Sequence, residues 1–104
     1  MAQLLKAQDY LATCEIEDCS VRKAAAHAGI SQYHFQRLFR EAFSTTPYEV
    51  ISARRISEAK TLLLQTSHEV MEIALDCGFT NASSFARAFR RATGLTPSQY
   101  RAAI

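Results

Sequence analysis

Residues 21–47 read VRKAAAHAGISQYHFQRLFREAFSTTP, and residues 70–97 repeat this pattern as VMEIALDCGFTNASSFARAFRRATGLTP. Valine, alanine and glycine at positions 21, 25 and 29 recur 49 positions later, whereas the phenylalanine, arginine, threonine and proline matches from position 35 onwards recur 50 positions later. One residue is therefore inserted in the second copy. Because the glycine and proline positions are themselves repeated, the duplicated unit is a supersecondary motif and not a shared bias in composition.

The first copy carries the signals of a helix, a tight turn and a second helix. Ser20 can cap a short helix from Val21 to Ala28. Gly29 permits the positive φ angle that commonly ends a helix, and Ser31 can cap the next one. On that next helix the apolar side chains recur at the spacing of a single apolar stripe: Phe35, Leu38, Phe39 and Ala42.

The second copy has the same order of elements. Its first helix is predicted from Val70 to Cys77, the turn falls at Gly78, and the next helix restarts at Thr80 or Asn81. The matching apolar stripe consists of Phe85, Ala88, Phe89 and Ala92. We call the second helix of each copy a reading helix, because a helix-turn-helix holds that helix clear of the fold.

Each copy is succeeded by a further helix start. Thr46-Pro47-Tyr48-Glu49 and Thr96-Pro97-Ser98-Gln99 combine a threonine cap, proline at the first helical position and Glu or Gln three residues after the cap. The first signal begins a long helix from Pro47 to about Gln65, and the second begins a short terminal helix. With an N-terminal helix from about Gln3 to Thr13, the sequence predicts seven helices and an all-α fold.

We expect one compact domain in three parts. Residues 1–46 hold the N-terminal helix and the first helix-turn-helix, residues 47–65 the connecting helix, and residues 66–104 the second helix-turn-helix and the last helix. The 104 residues are 48% hydrophobic and 21% charged, with only 3 Gly and 2 Pro. This composition fits one globular domain and excludes a collagenous, disordered or membrane-spanning chain.

The sequence does not predict an enzyme, a cofactor or a metal site. It has no Gly-rich phosphate loop, paired catalytic carboxylates or Ser/His/Asp arrangement. Cys14, Cys19 and Cys77 lack CxxC spacing, and we expect them to be reduced thiols. We find no partner ligand one helical turn from any histidine, including His68.

The N-terminus lacks the apolar core of a signal peptide, which predicts a cytoplasmic protein.

Positive charge is concentrated in two segments and is mostly arginine. Residues 21–60 and 77–104 each carry a net charge of +4, whereas residues 1–20 and 61–76 each carry −3. Nine of the twelve cations are arginine, whose planar guanidinium matches phosphate oxygens and the edge of guanine. This distribution favours a polyanionic partner.

The outward faces of the two reading helices supply candidate DNA contacts. Arginine, glutamine, serine and tyrosine side chains can contact base edges in the major groove. The predicted base-reading residues are Gln32, Tyr33, Gln36, Arg37, Ser83, Ser84 and Arg87. The predicted phosphate contacts are Arg40, Arg55, Arg90 and Arg91, for which salt-bridge roles are the alternative.

The length of the connecting helix can be compared with the spacing of major grooves on DNA. Nineteen residues make a helix about 28 Å long, somewhat less than the ~34 Å between successive major grooves on one side of straight DNA. If this helix sets the spacing, both reading helices reach adjacent grooves only on bent DNA. The sequence therefore predicts DNA bending.

The second copy also carries a family signature. It runs Gly78-Phe79-Thr80-Asn81-Ala82-Ser83-Ser84-Phe85 and continues through Phe89-Arg90-Arg91 to Gly94-Leu95-Thr96-Pro97-Ser98-Gln99-Tyr100-Arg101, and the connector contains Arg55-Ile56-Ser57-Glu58-Ala59-Lys60. On these residues, and over essentially the whole chain, the sequence resembles the DNA-binding domain of the AraC/XylS family of bacterial transcription regulators. The resemblance implies two helix-turn-helix subdomains joined by one helix, which place reading helices in adjacent major grooves.

The resemblance also implies base contacts at the matched positions. These are Tyr33, Gln36 and Arg37 in the first reading helix, and Ala82, Ser83, Ser84 and Arg87 in the second. Two residues depart from the family pattern. Ser44 stands where the family often has glycine, which predicts a differently shaped helix end, and Ala82 cannot donate a hydrogen bond to a base, which predicts weaker readout there.

The sequence supports two functions of different classes. The first is a sequence-specific regulator that binds double-stranded promoter DNA, with RNA polymerase as a further partner and any effector or dimerisation domain outside this chain. The alternative is a helical protein-interaction module that uses the same fold without DNA. Exposed arginine on both reading helices favours the first, because an interaction surface more often exposes Leu or Met.

Overall fold

A computed structural model describes residues 2–103, and every regular element within that range is an α-helix. The helices are α1 (Ala2–Thr13), α2 (Val21–Ala28), α3 (Gln32–Phe43), α4 (Pro47–Gln65), α5 (Val70–Asp76), α6 (Ala82–Thr93) and α7 (Pro97–Ala102). The predicted all-α fold with seven helices is confirmed, with helix bounds close to those expected. None of these helices combines the length and the apolar character that a membrane crossing requires.

The chain divides into two compact units, Met1–Ile51 and Ser52–Ile104. Helix α4 contributes its first turn to the first unit and the rest of its length to the second. Each unit has its own core. The first is built on α1, α2 and α3, and the second on α4, α5 and α6 with Tyr100 of α7 packed against it.

The two units correspond beyond the repeat visible in the sequence. Helix α1 buries Leu4, Ala7 and Leu11 at a spacing of three and four residues. Helix α4 buries Ile56, Ala59 and Leu63 at the same spacing in the second core. Each core therefore begins with a helix that packs leucine or isoleucine around a fully buried alanine.

The turn inside each helix-turn-helix has the same hydrogen bonds in both units. The Gly29 N–H donates to the Ala26 carbonyl and the Ile30 N–H to the Ala25 carbonyl. In the second unit, Gly78 donates to Leu75 and Phe79 donates to Ala74. This is a Schellman end, and it requires the positive φ of 74° at Gly29 and 93° at Gly78.

The ends of the two reading helices are also alike, which corrects one prediction. Ser44 has φ 58° and its N–H donates to the Arg40 carbonyl; Gly94 has φ 82° and donates to the Arg90 carbonyl. The expectation that serine would change the shape of this end is wrong, because the same left-handed cap forms. Ser44 is the only non-glycine residue with positive φ among residues 2–103.

The predicted helix starts are formed, with one difference between copies. Asn81, not Thr80, caps α6, and its side chain accepts the Ser84 N–H. Thr96 and Gln99 make the full reciprocal capping box at α7. At α4 the Thr46 hydroxyl accepts the Glu49 N–H, but the Glu49 carboxylate accepts from the Thr45 hydroxyl. Only half of the capping box predicted there is therefore present.

The first helix of each core is linked to the rest of its unit, by a disulfide in the first unit and by arginine hydrogen bonds in the second. Cys14 and Cys19 form a disulfide across the turn between α1 and α2, so the prediction of reduced thiols is wrong for this pair. A tight turn, in which the Asp18 N–H donates to the Glu15 carbonyl, brings their Cα atoms to 5.7 Å. The absence of CxxC spacing does not exclude a disulfide between cysteines that such a turn brings together.

In the second unit an arginine makes the corresponding connection. The Arg101 guanidinium on α7 donates to the Leu63 carbonyl at 3.0 Å and to the Thr66 carbonyl at 3.2 Å. These carbonyls lie at the C-terminal end of α4, where backbone acceptors lack helical partners and where the helix dipole favours a cation.

Candidate nucleic-acid interface

The first reading helix, α3, separates a buried face from an outward face. Phe35 and Phe39 are 0% and 2% exposed and pack edge to face, with ring centroids 5.7 Å apart. Leu38 is partly buried against the same core. These aromatic rings are therefore committed to the core, as the spacing predicted, and the residues between them point outward.

The outward face of α3 brings together most of the contacts predicted for the first unit. Tyr33 is 77% exposed, and Gln32, Gln36, Arg37 and Arg40 are exposed as well. Four of these predicted residues share one open groove with the start of α4. The groove has a volume of about 370 Å³ and is lined by Tyr33, Gln36, Arg37, Arg40, Thr46 and Tyr48.

Two groove residues were not predicted from the sequence. Thr46 was interpreted only as a helix cap, and Tyr48 only as part of the helix start signal. Tyr48 is 58% exposed, directly after the buried Pro47 that begins α4. The signal available in the sequence was a tyrosine directly after the proline of a helix start. Its meaning depends on packing that places the start of α4 beside α3.

The second reading helix, α6, has the same buried face and a smaller outward face. Phe85 and Phe89 are both 0% exposed and pack edge to face at 5.6 Å. Ser83 and Arg87 are exposed, whereas Ala82 and Ser84 are half-buried. Ser83 thus occupies the position that Tyr33 has in the first unit, so α6 presents less surface to a partner.

Five predicted arginines project from the reading helices without internal partners. Among residues 2–103, their guanidinium groups form no ion pair and donate no hydrogen bond to protein. They are Arg37, Arg40, Arg87, Arg90 and Arg91, all exposed. Guanidinium groups that are not engaged within the protein are available to an external anion.

Arg55 lies in a different environment from the other predicted phosphate contacts. It is half-buried on α4, and its guanidinium carbon is 5.8 Å from the centroid of the Phe79 ring. This is a cation–π distance inside the second unit. The structure thus places Arg55 against a core aromatic ring of the second unit.

A cluster formed by α5 and the segment just before it corrects the sequence interpretation of the histidines. His68, Glu72 and Asp76 recur at four-residue intervals, and their ligand-type atoms all lie within 4.8 Å of one another. The statement that no histidine has a potential ligand one turn away is therefore wrong for His68. All three side chains are exposed.

A helix-turn-helix domain family matches residues 24–103 of the chain. Among curated proteins, an uncharacterised helix-turn-helix-type transcriptional regulator of Staphylococcus aureus is 36% identical over 93 residues. That match covers 89% of this chain but 12% of the relative. The chain thus spans about an eighth of the length of this relative.

Solved structures share the fold over nearly the whole chain. The DNA-binding domain of the global transcriptional factor AdpA, in complex with a target DNA, is 31% identical with a TM-score of 0.82. The alignment covers 97% of this chain and 91% of AdpA's. An AraC-type transcriptional regulator of Chromobacterium violaceum is 30% identical with a TM-score of 0.78, covering 97% and 90% of the two chains.

Proposed function

We propose that this chain, which belongs to the AraC-type helix-turn-helix family, is a DNA-binding module of a transcription regulator and recognises double-stranded DNA by sequence. One observation carries the proposal. Each reading helix buries two phenylalanines completely or almost completely and turns unengaged arginines to solvent. That is the arrangement a helix needs to enter the major groove while remaining anchored to its own core.

The first reading helix supplies the larger set of base contacts. Arg37 can donate two hydrogen bonds to O6 and N7 of guanine, and Gln36 can pair with N6 and N7 of adenine. The Tyr33 ring can pack against a thymine methyl group or a sugar. Gln32, exposed at the start of α3, is included in the proposed base-reading set.

The second reading helix is proposed to read fewer bases. Arg87 is exposed and can donate two hydrogen bonds to guanine. Ser83 and Ser84 each have a single hydroxyl on a short side chain and cannot make such a paired contact. Arg90 and Arg91, in the last turn of α6, are proposed to contact phosphates, and the same role is proposed for Arg40 in the first unit. Arg55 stays in the proposed phosphate set, although its contact with Phe79 favours a structural role.

We extend the proposal to the shape of the bound DNA. Helix α4 has the predicted nineteen residues and is continuous. Its length of about 28 Å is less than the ~34 Å between adjacent major grooves. Occupying both grooves through a connector of this length favours DNA bent towards the protein, at a cost that depends on the sequence between the contacts.

The alternative, a protein-interaction module without DNA, is not favoured. The outward faces carry arginine, glutamine and serine where a protein-binding helix more often exposes leucine or methionine. A similar solved domain, that of AdpA, is described in complex with a target DNA. DNA is therefore the partner that the exposed chemistry and the likeness both support.

Recruitment of RNA polymerase and control by a separate effector or dimerisation domain belong to the same proposal. Support for a further domain comes from the curated relatives, which include regulators several times longer than the matching region. The relatives are bacterial, and a regulator of this kind is proposed to work in the bacterial cytoplasm at the nucleoid.

Selection of bound duplexes from a random DNA pool tests the proposal and identifies the recognised bases. We expect a defined motif, with affinity that falls steeply as salt rises because several phosphates are contacted. Arg37→Ala should then cost about 1–3 kcal/mol, mainly at one base pair. Lys6→Ala, which removes one exposed cation on α1, is the matched control and should leave base preference unchanged.

Two results would contradict the proposal. One is the recovery of no sequence preference by the wild-type chain together with no salt-sensitive DNA retention. The other is an Arg37→Ala variant that binds the selected site with wild-type affinity and the same base preferences.

A further inference from the structure

The groove of the first unit contains an exposed tyrosine that the base-reading set does not use. Tyr48 is 58% exposed and lines the wall formed by the start of α4. Arg37 and Arg40 line the same groove from α3. Tyr48 makes no hydrogen bond or ring contact with the rest of residues 2–103, so its hydroxyl is available for a ligand.

The backbone position of Tyr48 is fixed by the packing and hydrogen bonds of its neighbours. Pro47 before it is buried and sets the first turn of α4, and the Thr46 hydroxyl accepts the Glu49 N–H. Val50 and Ile51 after it pack into the first core. A tyrosine on a helix turn held in this way loses little further backbone freedom when it binds.

The charge around Tyr48 indicates the chemistry of its ligand. Two guanidinium groups without internal partners among residues 2–103 line the groove, so an anion is favoured there. Glu49 comes directly after Tyr48, but its carboxylate accepts from the Thr45 hydroxyl and does not line the groove. A phosphate oxygen offers the tyrosine hydroxyl a charged acceptor, which makes a stronger hydrogen bond than a neutral one.

We infer that Tyr48 is a further DNA-binding residue, whose hydroxyl donates to a backbone phosphate that the Arg40 guanidinium also contacts. The inference rests on the proposed function and adds a contact outside the reading helix. It assigns the groove to one phosphodiester next to the bases that Tyr33, Gln36 and Arg37 read. The second unit has Ser98 at the matching position, so this contact belongs to the first unit alone.

A conservative substitution separates this contact from a general loss of charge. Tyr48→Phe removes only the hydroxyl and should weaken binding to the selected duplex about 5- to 20-fold. The slope of log affinity against log salt should not change, because no charge is removed. Arg40→Ala should weaken binding and also reduce the slope by about 0.9.

Tyr10→Phe provides the matched control within the same unit. Tyr10 is half-buried, with its ring 5.4 Å from that of His27, and is not in the groove. Its substitution should leave affinity within about two-fold of wild type. Circular dichroism of each variant verifies the fold before binding is compared.

Neutral methylphosphonate substitutions locate the phosphate. Replacing the phosphates of the selected duplex one at a time should reveal one position at which Tyr48→Phe causes no further loss. At that same position, the loss of affinity caused by Arg40→Ala and the loss caused by the methylphosphonate should not add. Additive losses at every phosphate would overturn the inference.

Other outcomes distinguish this inference from the proposed function. If Tyr48→Phe binds like wild type while Arg37→Ala and Arg40→Ala bind weakly, the tyrosine contact is wrong and DNA recognition stands. A Tyr48→Phe loss confined to one base identity would also overturn the phosphate assignment. If the wild-type chain selects no DNA, the proposed function itself has failed.

Discussion

The two units of this protein have the same buried framework but different outward faces. Both bury a phenylalanine pair on the reading helix, both turn at a left-handed glycine, and both start with a helix packed around a buried alanine. Outward, Tyr33 and Gln36 of the first unit are matched by Ser83 and Ala86 in the second. The comparison teaches that the motif is specified by buried and capping positions, which leaves the exposed positions free to differ in what they bind.

The difference in outward side chains makes the units unequal partners in DNA binding. The first unit offers two exposed tyrosines, whereas the second offers serine at both matching positions, 83 and 98. Both retain an exposed arginine at the centre of the reading helix, Arg37 and Arg87. We therefore expect the first unit to contribute more of the sequence preference.

The largest expected effects test whether the two cores are independent. Phe39→Ala and Phe89→Ala each remove a ring that is 2% or less exposed, and each should lower the free energy of unfolding by about 3–5 kcal/mol. Amide hydrogen exchange should show lost protection mainly in Met1–Ile51 for the first variant and mainly in Ser52–Ile104 for the second. Equal loss along the whole chain in both variants would show that the units unfold together.

Smaller losses of stability are expected when either link to the first helix of a core is removed: the disulfide in the first unit or the Arg101 hydrogen bonds in the second. Reduction of the Cys14–Cys19 disulfide should lower the free energy of unfolding by about 2 kcal/mol, because it closes a short loop. Arg101→Ala removes two hydrogen bonds to carbonyls at the end of α4 and should cost about 1–2 kcal/mol.

Urea denaturation of the wild-type chain and of Arg101→Ala, each with and without a reductant, measures how much each link contributes to the free energy of unfolding. Reduction should not change the loss caused by Arg101→Ala, since the two connections lie in different units. A wild-type unfolding curve that is the same in both conditions would show that the disulfide does not stabilise the first unit.

The next effect depends on a buried residue that differs between the cores. Cys77 occupies the position that Ala28 has in the first unit, and burial raises the pKa of its thiol from 9.0 to about 11, assisted by Glu58 and Asp76 and opposed by Arg55. The thiol of the unfolded chain ionises at the lower pKa. Its contribution to stability is therefore complete below pH 9 and decreases as the pH rises towards 11.

A pH series on two proteins measures this contribution. Between about pH 8 and about pH 10 the wild-type chain should lose on the order of 1 kcal/mol more unfolding free energy than Cys77→Ala. Equal losses in the two proteins would mean that ionisation of the thiol does not oppose folding.

The smallest effect concerns the caps of the two reading helices. Ser44→Gly should raise the free energy of unfolding by about 0.5–1 kcal/mol, because glycine adopts the positive φ without steric cost. Gly94→Ser should lower it by a similar amount, and a Cβ atom there meets no neighbour within 4 Å. Thermal unfolding of the single variants and of the double exchange measures both. A Ser44→Gly variant that is no more stable than wild type, beside a destabilised Gly94→Ser variant, would show that the two caps are not equivalent.

Sequence patterns predicted the helices, their caps and the outward residues of the reading helices. The capping and apolar signals act over three or four residues, so they are legible without knowledge of the fold. The patterns did not reveal that α4 repeats the role of α1, because leucine and isoleucine around an alanine are common in helices. They also missed the disulfide and the placement of Tyr48, which depend on how a turn and a helix start pack.

The sequence by itself determined the secondary structure and the identity of the exposed side chains, because both result from local spacing and capping chemistry. Only the tertiary structure decided which distant residues meet. Arg101 reaches carbonyls 35 and 38 residues away, and Tyr48 shares a groove with Arg37 and Arg40. Such contacts depend on the directions in which packed helices leave their cores, and no short-range pattern encodes those directions.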